Sequence, residues 1–207
     1  MREKGIPFEE IITPFSDDSA TSPFKTFSPT SKVPCLDDNG TLIWDSLAIC
    51  EYLAEIEPTC WPADRVARAW ARSAAAEMHS SFQTLRTHCQ MNCGVRVVLN
   101  HIDDMLRADV ERLSTLWCEG LQRFGGPYLA GQSYSIVDAF FAPVAFRVQS
   151  YGLSLATPAQ AYVNHVLKLP AMRQWYDEAM REPWRKDVYE RSVASYGLIT
   201  ADERIKS

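Results

Sequence analysis

The sequence predicts a short α/β segment followed by a larger helical region, and three observations carry that reading. A tight-turn signal separates two short apolar runs near residue 40, and the hydrophobic period changes from two to about 3.6 residues at Asp45. Beyond a break bracketed by Pro58 and Pro62, long amphipathic stripes follow one another.

Along the chain, Phe8, Ile11 and Ile12 are β-formers ahead of Pro14, so a strand is expected over residues 8–13. Residues 14–31 are rich in Ser, Thr, Pro and Asp, whose side chains compete with regular backbone pairing; this is a surface loop with one short helix at most. Residues 32–36 and 41–44 flank Asp37-Asp38-Asn39-Gly40, and Asn-Gly supplies the positive φ angles of a hairpin turn. Asp45 stands at the N-cap of a helix that sets Leu47, Cys50, Leu53 and Ala54 on one face. Two domains are expected, over residues 1–57 and 64–207, with 58–63 as the linker.

The second domain reads as helical throughout. Val66, Trp70, Ala74, Met78, Phe82 and Leu85 make one stripe, and Ile102, Met105, Leu106, Val110, Leu113, Leu116 and Trp117 make another, which implies two long antiparallel helices. Residues 90–100, with Gly94, lack a clear period and read as a break. Ser135 and Asp138 have capping-box spacing ahead of an apolar run, and Pro143 interrupts the hydrogen-bond ladder of the helix they open. Further helices over 158–168 and 170–180 each begin with a proline in the first turn.

Composition narrows the function classes. A chain of 207 residues that is 46% apolar can build a sizeable core. A net charge of −5 without a basic run leaves no footprint for nucleic acid or an anionic membrane surface. The sequence holds neither a run of about 20 apolar residues nor the apolar stretch of a signal peptide at its start, so a cytoplasmic protein is expected. Its six cysteines stand among apolar neighbours and read as buried thiols; Cys89, Cys93 and His88 lack the second pair of ligands that a zinc site needs, so no metal is expected.

Three patterns occur in a fixed order: Ser31-Lys32-Val33-Pro34-Cys35-Leu36, then Trp44-Asp45-Ser46-Leu47-Ala48-Ile49, then Tyr128-Leu129-Ala130-Gly131 leading to Ser135 and Asp138. In order and spacing the chain resembles the cytosolic glutathione S-transferases over nearly its whole length. The resemblance implies a thioredoxin-like α/β domain, here incomplete, and then an all-helical C-terminal domain. It implies glutathione as substrate or ligand, a small hydrophobic electrophile and a homodimer. Pro34 would follow a cis peptide bond, and the Val33 backbone would pair with the cysteinyl part of glutathione.

The chemistry of the ligand fits these positions. Ser46 and the first turn of its helix suit the γ-glutamyl carboxylate, and Asp45 suits the ammonium; an ordinary helix cap is the alternative reading of the pair. Lys32 is either a contact for the glycyl carboxylate or a solvated lysine. Met78, Phe82 and Arg86 are candidates for the electrophile pocket, with plain core for the first two and a solvated helix end for Arg86 as alternatives.

In the family a first strand and helix precede this point, and between them lies the Ser, Tyr or Cys that lowers the thiol pKa. Residues 1–5 correspond to the last turn of that helix, so no catalytic residue is assigned within 1–207, and weak conjugating activity is expected of these residues alone. Conjugation is the leading reading. The alternatives are a glutathione-dependent isomerase of the maleylacetoacetate isomerase type and a non-catalytic binding or scaffold protein.

Overall fold

A computed structural model describes residues 1–16 and 22–205; the part of the expected loop over 17–21 lies outside the described residues. The chain opens with a 3-10 turn, Arg2–Lys4, closed by Gly5 at φ 62°. The strand expected over 8–13 does not form. That stretch has no regular structure, Ile11 and Ile12 are 81% and 61% exposed, and among the described residues no second strand pairs with it. A 3-10 turn, Pro23–Thr26, lies in the following loop and buries Phe24 against the rings of Phe15 and Phe27.

The hairpin forms where the Asn-Gly signal put it. Strands β1 (Leu36–Asp38) and β2 (Thr41–Ile43) pair antiparallel, with Leu36 opposite Ile43 and Asp38 opposite Thr41. Asn39 and Gly40 take φ angles of 51° and 90°, and the Asp37 carboxylate accepts the Gly40 N–H at 2.7 Å. Helix α1 (Ser46–Ile56) follows, and its Tyr52 hydroxyl donates to Asp38 at 2.6 Å, holding the hairpin on the helix.

Helix α2 (Arg65–Ser80) is capped by Asp64, which accepts the Ala67 N–H at 2.8 Å, and it buries Ala67, Ala71, Ala74, Ala75 and Met78. The expected stripe from Val66 to Leu85 is not one helix. Val66 is half exposed, and the helix stops at Ser80 so that Phe82, at φ 59°, can turn into the core ahead of α3 (Gln83–His88). The break is stable because its freed backbone groups find partners. Asp109 accepts the Leu85 N–H at 2.9 Å, and the Arg86 guanidinium donates to the carbonyls of Met78 and His79 at 3.2 and 3.4 Å.

Helix α4 (Asp104–Phe124) begins at the Asp103 cap, which leaves Ile102 and Met105 exposed and centres the buried face on Leu106, Leu113, Leu116 and Trp117. Trp70 donates to Glu119, and Arg112 forks onto Glu77. Moving two turns along α2 thus moves two turns back along α4, so the helices run antiparallel as expected. Gly120 lets α4 approach, since a Cβ there would stand 2.4 Å from the Trp70 ring and 2.5 Å from the Leu129 carbonyl.

The region expected to be helical throughout also carries a two-stranded ribbon. Strand β3 (Val95–Leu99) lies in the break read over 90–100 and pairs antiparallel with β4 (Gly197–Asp202). Val95 and Val97 face the core while Val98 faces outward, an alternation too short to stand out beside the helical stripes. Helices α5 (Ile136–Tyr151), α6 (Thr157–Val166) and α7 (Pro170–Arg181) match expectation, with Pro143 inside α5. Helix α8 (Asp187–Tyr196) was not expected; Val193 is its one fully buried residue, so it has almost no apolar stripe to read.

The core centres on α5, where Phe141 and Tyr162 of α6 set their rings edge-on to Trp117 at 5.5 and 5.0 Å. The capping box is present, and Asp138 does more than cap. Wholly buried, its carboxylate accepts the N–H groups of Ser135 and Leu129 at 2.9 and 3.0 Å and the Tyr162 hydroxyl at 3.0 Å, with the Ser135 hydroxyl at 3.3 Å. Burial pushes its pKa up, and these donors pull against that shift.

Replacing Asp138 with Ala therefore strands the Leu129 N–H and the Tyr162 hydroxyl in the core. We expect a loss of about 2–4 kcal/mol, against about 1 kcal/mol for Ser135→Ala, which touches the cap alone. Equilibrium denaturation of the two variants measures the difference; equal losses would contradict the wider role of Asp138.

Candidate functional site

The last paired residues of the hairpin are Leu36 and Ile43, so residues 33–35 and 44–46 leave the ladder at one end and stay together there. Lys32 and Val33 precede one strand at this end, and Asp45 and Ser46 follow the other. The Val33–Pro34 peptide bond is cis, as the resemblance implied. Val33 is 45% exposed, and neither its N–H nor its C=O is hydrogen-bonded among the described residues. The segment is held from behind by buried Ser28, whose hydroxyl donates to the Lys32 carbonyl at 2.6 Å and accepts the Lys32 N–H at 3.3 Å. Nothing in the sequence around Ser28 marks it for this part. The Lys32 ammonium is exposed beside it.

Across the end of the hairpin, Asp45 caps α1. Its Oδ1 accepts the Leu47 N–H at 3.0 Å, and its carbonyl accepts the Ile49 N–H at 2.9 Å. Among the described residues the Ser46 hydroxyl and the N–H groups of Ser46 and Ala48 have no partner, which leaves donors at the positive end of the helix dipole. The second carboxylate oxygen of Asp45 lies 3.1 Å from His79 Nε2 on α2. Sequence reasoning missed His79, because a single histidine near the end of an amphipathic helix carries no pattern. A second tie between these helices, Arg72 to Glu51 at 2.7 Å, lies along the same face.

The three electrophile-pocket candidates lie on α2, at the break that follows it and on α3. Met78 and Phe82 are 6% and 3% exposed within the main core, which matches the plain-core reading. Arg86 is occupied by the carbonyls at the end of α2. Among the described residues, no group of three or more His, Cys, Asp or Glu side chains is placed to hold a metal ion. Nor, among these residues, is any helix long and apolar enough to cross a membrane.

A thioredoxin-like hairpin and helix, carrying an open backbone edge and a capped helix start, stands ahead of a helical domain built on a buried capping box. That combination defines a class, and comparison gives its name. The glutathione S-transferase N-terminal domain family matches residues 1–56. Protein LigF of Sphingobium is 35% identical, covering 99% of this chain and 92% of that protein. Glutathione S-transferase 1 of Dianthus caryophyllus is 30% identical, covering 74% of this chain and 72% of its own length. Among solved structures, a glutathione transferase homolog from Burkholderia with bound glutathione is 26% identical, has a TM-score of 0.62 and covers 86% of each chain. The chain belongs to the glutathione S-transferase family.

The cysteines bear on where a thiolate could arise. Burial pushes Cys50 of α1 up to about 11, pushes Cys89 and Cys93 up to about 12, and raises Cys60 as well. A raised pKa keeps the thiol neutral until the pH approaches that value, so these four are poor nucleophiles near neutrality. Iodoacetamide at about pH 7.5 should therefore label partly exposed Cys35 well before Cys50, Cys89 or Cys93, with all of them labelled after unfolding. Peptide mapping by mass spectrometry reads the order; early labelling of Cys89 or Cys93 would contradict their burial.

Proposed function

We propose that this chain holds glutathione at the open end of the β1–β2 hairpin and presents its thiol to a small hydrophobic electrophile, with conjugation as the reaction. The observation that carries the reading is the set of donors at the start of α1, Ser46 hydroxyl included, that have no partner among the described residues, beside the Asp45 carboxylate and one strand away from exposed Val33. Each part of the tripeptide has a complementary group there. The γ-glutamyl carboxylate takes the Ser46 hydroxyl and the first-turn N–H groups, where the helix dipole favours an anion. Its ammonium takes Asp45. The cysteinyl N–H and C=O extend along the Val33 backbone as one further strand, and Lys32 balances the glycyl carboxylate.

These residues bind and orient; no residue of 1–207 is assigned to deprotonating the thiol. A bound thiol beside an electrophile gains from proximity alone, and isomerisation would use the same held glutathione with a different partner molecule. The homodimer implied by the resemblance belongs to the same reading, with exposed Ile11, Ile12 and Phe15 as apolar surface available to it.

Titration calorimetry with glutathione tests the assignment. Ser46→Ala removes a charge-assisted hydrogen bond at about 1.5–3 kcal/mol, so affinity should fall by about 10- to 150-fold with little change in melting temperature. Unchanged affinity would exclude this end of the hairpin as the carboxylate site.

A further inference from the structure

We propose that His79 is a positioning residue for Asp45: from α2 it fixes the plane of the carboxylate that receives the ammonium of glutathione, an inference that rests on the site reading above. An N-cap aspartate with one oxygen tied to its helix can swing about its side-chain bonds. Here the Leu47 N–H takes Oδ1 at 3.0 Å and His79 Nε2 stands 3.1 Å from Oδ2, so a group from each helix bears on the carboxylate. Each keeps a further lone pair for a third donor, because an ionised carboxylate offers about four acceptor sites.

His79 is itself well placed to impose an orientation. Its backbone carbonyl accepts from the Arg86 guanidinium, which closes the end of α2, and its ring stands edge-on to Phe140 of α5 at 6.2 Å. The orientation of Asp45 is thus inherited from the helical core and not from the light hairpin. Position 79 also follows Arg72 by two turns, and the two residues meet Asp45 and Glu51 on α1, so the pairing fixes the register of α1 on α2 at two points. With side chains 35% and 57% exposed, the His79–Asp45 contact is a weak contributor to stability. Its effect lies in geometry.

The test compares glutathione with its deaminated analogue, in which a glutaryl group replaces the γ-glutamyl group, by titration calorimetry on the full chain. His79→Ala and the space-filling His79→Leu should each weaken glutathione by roughly 3- to 10-fold, while His79→Gln, whose amide can donate to Oδ2, recovers most of the affinity. The analogue, which has no ammonium, should bind all three variants as it binds the parent. In an Asp45→Ala background the His79 substitutions should change nothing further. Parental affinity in both His79→Ala and His79→Leu, or an equal loss with the analogue or in the Asp45→Ala background, overturns the positioning role. If instead Asp45→Ala itself binds glutathione as the parent does, the site reading fails, and the role of His79 fails with it.

Discussion

A carboxylate with no exposure to water must have its lone pairs answered from within the protein, and Asp138 meets that requirement by drawing three segments together. The loop before α5 supplies the Leu129 N–H, the start of α5 supplies Ser135, and α6 supplies the Tyr162 hydroxyl. The nearby Tyr128–Gly131 bridge keeps that loop folded back on itself. With these fixed, α5 lies in a single register against α2 and α6, and Trp117 of α4 has one place to pack. The same group that begins a helix therefore also selects its neighbours.

The site is reached from this core by a short route. Helix α1 has no fully buried residue, and the hairpin ahead of it has three residues in each strand, too little apolar surface to be stable alone. Both are held by contacts to larger elements. The 3-10 turn at the N-terminal end docks on α7 through Glu3, which accepts the Ala171 N–H at 2.9 Å, while Lys4 reaches the Thr59 carbonyl at 2.6 Å. On the other side, Arg72 and His79 of α2 hold α1. The proposed binding end, built mostly of backbone groups, is in this way carried by a domain that contributes few groups to it.

Much of the hairpin end was legible in the sequence because local rules decide it. Asn39-Gly40 sets the turn, Asp45 the cap and Asp138 the start of α5, each through neighbours within a few residues. What escaped was decided at a distance. The strand expected over 8–13 depends on a partner strand, and none among the described residues pairs with it. The break at Phe82 depends on Asp109, two dozen residues away, and on Arg86 folding back. His79 gains its part only once α1 is laid against α2. Met78 and Phe82 were ambiguous for the same reason, since an apolar stripe reads alike whether it faces a core or a ligand.

The pairing of β3 with β4 carries a consequence for the order in which the molecule assembles. Val95 lies opposite Asp202, so every helix from α4 to α8 is enclosed between two strands that meet only when more than half the chain is in place. Loop-closure entropy opposes that contact until the helices between have packed, which makes the ribbon a late event in folding. During synthesis, β3 emerges well before its partner strand, and until β4 arrives its pairing edge stays open. The step that seals this core is thus topological: the last-made strand returns to a segment made a hundred residues earlier.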